Sequence, residues 1–370
     1  MRRIRAVLAV LAIALGLLGP SPTPASAESG RRVPMLAYYY QWFEPSSWQR
    51  AKTDYPQLGR YSSDDPRIMR THIAWAKSAG IDGFIVSWKS TPVNDRRLQT
   101  LMTVAAQEQF KITVIYQGLD FDRRPLPAAR IAADFAAFGK RYADSPALFR
   151  VGGKPLTVLS GSWAFSHADI ARITGPVRDR LLVLNTEKNL KGYERLADVT
   201  DGDAYYWSSV NPDTNTNHAP KLDAMGRAVH AAHGYWIAPL APGFDARRVG
   251  GTKEVPRKDG LTLRTEYAAA LSSRPDVLGL ISWNEFSENS HVEPSLAHGR
   301  RYLDVLQSLR GAPATTPSPT DSPGDSPGVR AHAASRLGFW PNLLRLAGFA
   351  AVLVTAVSLL ARHRTERRSS

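Results

Sequence analysis

A chain of 370 residues with 47 Lys and Arg against 33 Asp and Glu carries a formal charge of +14 and holds no cysteine. The missing cysteines exclude disulfide staples and thiolate redox or metal chemistry. The charge is no nucleic-acid footprint: residues 1–27 contribute +3 and 329–370 contribute +6, leaving +5 spread over 28–328, so no nucleic-acid partner is expected.

Residues 1–27 read as a cleaved signal peptide. Arg2, Arg3 and Arg5 precede an apolar run over 6–18, prolines break it, and Ala25-Ser26-Ala27 has the small-x-small form that a signal peptidase needs. From 28 to 311 no linker-like stretch interrupts the chain, and a domain of this size holds together on one hydrophobic core. Within it, short runs that are apolar on both faces predict buried parallel strands at 35–40, 83–88, 112–116, 156–160, 181–185, 204–207, 235–240 and 278–283. Helical patterns fall between and after them at 66–78, 94–109, 127–142, 167–173, 189–196, 219–233, 262–271 and 296–309. Asp65-Pro66 is a start signal for the first helix and Gly80 a stop. Eight strands alternating with eight helices predict an α/β fold, a single (β/α)8 (TIM) barrel. An open doubly wound sheet gives no reason for the count of eight, and no Gly-x-Gly-x-x-Gly turn follows the first strand.

Residues 312–336 open with Pro, Thr, Ser, Gly and Asp, which cannot bury a core and read as a solvated stalk. Residues 337–361 are apolar apart from Arg345 and a few mild interruptions, long enough for a transmembrane helix. Arg362, Arg364, Arg367 and Arg368 then make 362–370 a basic cytoplasmic tail by the positive-inside rule. The expected topology is a single-pass type I protein of the cell membrane with its catalytic domain outside.

In such a barrel, chemistry sits at the C-terminal ends of the strands. Those ends carry Tyr38, Tyr40, Trp42, Trp88, Tyr116, Glu187, Tyr205, Trp207 and Asp245, and after the eighth strand Asn284, Glu285, Glu288, His291 and Glu293. Each aromatic alone is ordinary core packing, but their accumulation at one rim suits stacking on sugar faces. Glu285 and Glu288 stand three apart, so a helical turn would bring their Cβ atoms to ~5–6 Å. Two carboxylates that close do not both ionise easily, and one keeps its proton. The result is an acid and a base of one residue type, as glycoside hydrolysis requires. An arbitrary Glu-x-x-Glu is more often a solvated pair, or here a partner of Arg300 or Arg301; its place beside Trp283 and Asn284 favours the catalytic reading. Glu187 with Glu285 is the second-ranked pairing, and Asp122 and Asp245 are weaker candidates. No His-x-x-x-His or His-Glu-x-x-His run points to a metal, and no P-loop or nucleophile elbow is present, so neither metal nor cofactor is expected.

The run from Trp283-Asn284-Glu285-Phe286-Ser287-Glu288 to Glu293-Pro294 resembles the Asn-Glu-Trp-x-Glu-Gly-Thr-x-Ile-Glu-Pro motif of glycoside hydrolase family 99, the endo-α-mannosidases and endo-α-1,2-mannanases. Tyr38-Tyr39-Tyr40-Gln41-Trp42, Tyr61-Ser62-Ser63-Asp64-Asp65-Pro66, Ala79-Gly80-Ile81-Asp82-Gly83 and Pro242-Gly243-Phe244-Asp245 resemble further pieces of that family in the same order. The resemblance implies a retaining, endo-acting hydrolase of α-mannosidic linkages without metal or organic cofactor. It implies that Glu285 acts as a base on the sugar 2-hydroxyl, giving an epoxide-like intermediate, and that Glu288 is general acid, then base. Phe286, Asn289 and Ser290 depart from the Trp, Gly and Thr of the motif. An endo-α-1,3-glucanase-like hydrolase is the alternative; a non-catalytic glycan-binding surface receptor and a transglycosylase are the others. Polysaccharide or oligosaccharide is the expected substrate partner, and acidic cell-envelope glycans would suit the mild basicity.

Overall fold

The structure, a computed structural model, describes residues 32–50 and 52–311. The expected signal peptide (1–27), stalk (312–336), transmembrane helix (337–361) and tail (362–370) lie outside the described residues. Among the described residues no helix is long and apolar enough to cross a membrane. Every element below belongs to the compact unit that begins at Pro34.

Eight parallel strands curl into one sheet: β1 (Met35–Tyr40), β2 (Gly83–Trp88), β3 (Lys111–Gln117), β4 (Lys154–Ser160), β5 (Leu182–Leu184), β6 (Gly202–Ala204), β7 (Tyr235–Leu240) and β8 (Val277–Leu280). Each pairs with its successor in the chain. The exception is β5 to β6, which meet through a parallel bridge between Asn185 and Asp203. Pairing of β8 with β1, Met35 opposite Leu278, closes the curl. Among the described residues eight α-helices follow the strands in turn: α1 (Pro66–Ser78), α2 (Pro92–Gln107), α3 (Ala128–Tyr142), α4 (His167–Thr174), α5 (Leu190–Glu194), α6 (His218–Ala231), α7 (Leu261–Ser272) and α8 (Arg301–Arg310). This is the architecture of a (β/α)8 barrel.

Local chemistry explains most boundaries. Asp65 caps α1 by accepting from the Arg67 N–H, with Pro66 at the first helical position, and Thr91 with Pro92 does the same for α2. The strands are buried on both faces because one lines the barrel interior and the other lies under helices. Leu36, Tyr38, Ile85, Ile115, Val158 and Ile237 form the interior core.

Most boundaries move by one or two residues, and three elements differ more from expectation. The sixth strand is Gly202–Ala204, ending where 204–207 was expected to begin, because Gly-Asp-Ala carries no apolar signature. Gly202 has φ +140°, and a Cβ there would stand 2.0 Å from the Tyr235 carbonyl oxygen, so only glycine lets β6 approach β7 this closely. The eighth strand stops at Leu280 rather than 283. The last helix begins at Arg301 rather than 296, since Gly299 N–H donates to the Ser295 carbonyl at 2.8 Å and folds 295–299 into a turn. A small hairpin, Phe244–Asp245 with Glu254–Val255, stands between β7 and α7.

Candidate active site

The segment after β8 is tied to the end of β1. The β1–β8 ladder stops at Ala37 and Leu280, and the loop continues it: Trp283 N–H donates to the Tyr38 carbonyl at 2.8 Å. The Asn284 side chain then accepts from Tyr40 N–H at 2.8 Å and donates to the Tyr40 carbonyl at 3.0 Å. Asn284 thus replaces a strand backbone and delivers Glu285 at the rim. Glu285 N–H donates to Ser282 Oγ (2.8 Å), and its own Oε1 accepts from Ser287 N–H (2.9 Å). Residues 286–289 turn, carrying Glu288. Asn289 closes the turn at φ +50°, the conformation that glycine would take most easily and asparagine next. From the neighbouring loop, Asp245 N–H donates to the Glu288 carbonyl at 2.7 Å, and Arg257 Nη2 donates to the carbonyls of Asn289 and His291, each at 2.8 Å.

Both carboxylates face a cleft of about 1110 Å³ whose walls include Tyr40, Trp42, Trp163, Glu187 and Trp207. A second cleft of about 1500 Å³ shares Trp42, Gln117 and Phe121 with the first, so two exposed aromatic side chains stand between them. Glu285 is 3% and Glu288 7% exposed. Burial raises the pKa of Glu285 above the ordinary carboxylate value, opposed by the Ser287 N–H and the charge of Lys52. Burial raises Glu288 well above it; the charge of Glu285 adds to this and Arg123 opposes it. Glu288 Oε1 has no hydrogen-bond partner among the described residues. The environments therefore separate the pair: Glu288 is the one kept protonated and Glu285 the one better able to ionise. Beside them Tyr40 and Tyr206 share a hydrogen bond between their hydroxyls, and burial raises both phenols.

Of the fourteen residues singled out from sequence, Tyr40, Trp42, Glu187, Trp207, Glu285 and Glu288 line this cleft. The other eight do not. Tyr38 belongs to the interior core, and Trp88 donates from Nε1 to Asp95 at the edge of the second cleft. Tyr116 turns outward and donates to Asp134 on α3. Tyr205 accepts from Lys221 on α6. Asp245 pairs with Arg247, and Asn284 is the clamp described above. Glu293 accepts from Tyr61 (2.8 Å) and meets His72 (3.1 Å) in a wholly buried network. His291 lies between Asp54 and Arg257, stacked on Phe286. Phe286 itself packs with Trp48 and Tyr61 behind the loop, away from the carboxylates. Arg300 contacts Ser78 and Arg301 pairs with Asp259, so neither holds the two glutamates. Glu187 accepts from Ser162 Oγ (2.8 Å) and faces Arg195 at 3.5 Å, and burial raises its pKa.

Sequence reasoning missed Tyr206, Arg123, Thr186 and Phe244, all on the cleft wall. Tyr206 was readable: interior residues recur every second position, and Ala204 is interior. Arg123 sits in a loop with no periodicity to place it.

Among the described residues one group of donor atoms could be asked to hold a metal: donor atoms of Asp54, His291 and His298 lie within 4.8 Å of one another. The donor set fits an ion pair better. Arg257 Nη2 stands 3.4 Å from His291 Nδ1, which must accept, so Nε2 carries the proton and donates to Asp54. Burial and the Arg257 charge push His291 down to about 3, keeping it neutral.

Residues 39–309 match the family model for Glycosyl hydrolase family 99. A human protein named glycoprotein endo-alpha-1,2-mannosidase-like protein is 24% identical over 278 residues, 68% of this chain and 60% of its own. The rat glycoprotein endo-alpha-1,2-mannosidase is 22% identical over 280 residues, 68% of this chain and 59% of its own. The chain thus spans about three fifths of the length of the curated relatives it matches. Among solved structures, the family 99 endo-alpha-mannosidase from Bacteroides thetaiotaomicron in complex with bis-tris-propane superposes with a TM-score of 0.65 at 22% identity, covering 75% of this chain and 98% of that one. That likeness supports the barrel fold.

Proposed function

This chain belongs to glycosyl hydrolase family 99, and from that premise we propose that it is a retaining, endo-acting hydrolase of α-mannosidic linkages. The observation that carries the reading is the separation of two neighbouring carboxylates: Glu288 is buried beside the charge of Glu285 and keeps its proton, in a cleft with aromatic walls. The names of the mammalian relatives supply the linkage class.

In the first step Glu285 removes the proton of the substrate 2-hydroxyl. The freed O2 attacks the anomeric carbon as its bond to the leaving oxygen breaks, and Glu288 gives its proton to that oxygen. An epoxide-like 1,2-anhydro sugar results. In the second step Glu288, now a carboxylate, takes a proton from water, and the water oxygen attacks the anomeric carbon. The bond to O2 breaks and O2 recovers its proton from Glu285. Two inversions at one carbon give net retention. The short polar groups around Glu285 keep it available as a base, while burial keeps Glu288 an acid until the leaving group needs its proton.

The basic leader, the stalk composition and the apolar segment 337–361 with its arginines support an enzyme held outside the cell on a single-pass type I anchor. The test uses α-mannan and α-1,3-glucan with chain-length analysis of products. Internal cleavage of mannan with retained configuration, reduced at least a hundredfold in Glu285→Gln and Glu288→Gln, is the expected result, on the order of what losing a general acid or base removes. Cleavage of glucan alone would replace the substrate class. Binding without cleavage in the wild type would make the protein a receptor.

A further inference from the structure

The chain between β1 and α1 is laced to the stretch that follows the catalytic turn. Leu296 N–H donates to the Tyr55 carbonyl (2.9 Å), Gln57 N–H donates to the Pro294 carbonyl (2.8 Å), and Pro56 and Ser295 form an antiparallel bridge. The Asp54 carboxylate accepts from His291 Nε2 at 3.1 Å and from Ala297 N–H at 2.9 Å. Lys52 stands two residues before Asp54, so its place is set by contacts with the same segment that carries Glu285 and Glu288.

Lys52 is half-buried, which disfavours its ammonium form. Its Nζ donates to the Arg50 carbonyl (3.2 Å) and to Ser287 Oγ (2.9 Å). Ser287 N–H in turn donates to Glu285 Oε1 at 2.9 Å. A hydroxyl oxygen that accepts from Lys52 still has its own proton to give, and the Ser287 hydroxyl, like its N–H, favours the Glu285 carboxylate. Lys52 and Ser287 both line the second cleft, whereas Glu285 lines the first. The ammonium thus stands behind the carboxylate rather than on the side where substrate would lie. Both of its acceptors are neutral, and Glu285 is the carboxylate whose charge it meets. The other titratable groups that feel Glu285 are Glu288 on the same turn, Tyr40 at the end of β1 and Tyr206 after β6, none of them cationic. Arg50 repels Lys52, and Arg123 acts on Glu288.

We infer that Lys52 is a positioning residue for the base: through Ser287 it holds the Glu285 carboxylate toward the first cleft and keeps it an anion there. Without that charge a buried carboxylate faces Glu288 and two phenols, and at the lower end of the pH range it would already carry the proton that it should take from the sugar 2-hydroxyl. This deepens the proposed function and rests on the reading of Glu285 as the base.

The test is the pH profile of kcat/KM for the full chain, on whichever of α-mannan and α-1,3-glucan the wild type cleaves. Glu285 must be ionised in the free enzyme, so it sets the acidic limb. Lys52→Gln can still donate to Ser287 but carries no charge. Its acidic limb should rise by about one pH unit, the low end of what a nearby opposite charge does to a carboxylate. Below the limb the variant should run about tenfold slower, and on the plateau within about twofold of wild type. The alkaline limb, set by Glu288, should stay in place. Lys52→Arg keeps the charge and should bring the acidic limb back. Ser287→Ala removes the relay and should move the same limb up, and Lys52→Gln should then add less than it does alone. An acidic limb unmoved in Lys52→Gln, one moved equally in Lys52→Arg, or a uniform loss at every pH overturns the role of Lys52, and the base stands if Glu285→Gln is inactive. Full activity of Glu285→Gln, or no cleavage of either polymer by the wild type, removes the base and the role of Lys52 together.

Discussion

Asn284→Ala removes the side chain that finishes the β1 edge. Tyr40 is 5% exposed, and its N–H and carbonyl both depend on the Asn284 amide at 2.8 and 3.0 Å. A buried backbone group left without a partner costs about 1–3 kcal/mol, so losing both should destabilise the fold by about 2–5 kcal/mol. Entry of a water into the space would bring the value to the lower end. Against a usual stability of about 5–15 kcal/mol, the variant should still fold but unfold at visibly lower urea. Asn284→Asp is the sharper comparison. It can still accept from Tyr40 N–H, yet turns a second oxygen toward the Tyr40 carbonyl, so it should be no better than alanine. The assay is urea unfolding followed by tryptophan fluorescence, with the slope checked for change. Activity below the transition should fall as well, because Glu285 is the next residue and loses its anchor. A loss under about 0.5 kcal/mol in Asn284→Ala, or an Asp variant as stable as wild type, would refute the idea that this amide stands in for a strand.

Arg123 opposes the rise of the Glu288 pKa, so Arg123→Gln should let Glu288 hold its proton to higher pH and move the alkaline limb of kcat/KM upward; an unmoved limb, or one moved down, contradicts this. Asp203 is wholly buried and raised well above its ordinary value, first by burial, with Oδ1 unpartnered among the described residues. The native state therefore binds the extra proton, and stability is lost as pH rises from the unfolded pKa through the folded one. Asp203→Asn removes that loss, so its advantage over wild type should grow between pH 4 and pH 7 in denaturation curves; a constant or shrinking difference would count against it. Gly202→Ala puts a methyl group into the Tyr235 carbonyl and should cost more than about 3 kcal/mol or abolish folding, read by thermal unfolding; a mild effect would mean that β6 and β7 can part cheaply.

What was legible in the sequence follows a physical line. β1, β2 and β7 were readable end to end because both faces of a barrel strand are buried and the apolar run shows it. The α1 start was readable because its cap is three residues of local chemistry. β6 was misplaced because its sequence, Gly-Asp-Ala, serves close approach and closure rather than burial, and neither leaves a hydrophobic pattern. The same displacement turned attention to Tyr205, which faces α6, and away from Tyr206, which faces the carboxylates. His291 and Glu293 were near the motif in sequence, yet their partners Asp54, Tyr61 and His72 come from more than 200 positions away and hold them behind the loop.

By itself the sequence determined the alternation of strands and helices and the two glutamates three apart on the last strand's loop, since both follow from contacts within a few residues. Which side chains converge was decided by tertiary structure. The Asn284 clamp on β1 sets where Glu285 emerges, the hairpin before α7 holds Glu288, and the loop at 120–124 brings Arg123 to the Trp163 ring on the cleft wall. The difference in proton affinity between Glu285 and Glu288 belongs to that second level as well. It arises from desolvation and from charges carried on other loops, and those quantities exist only once the barrel has closed around the pair.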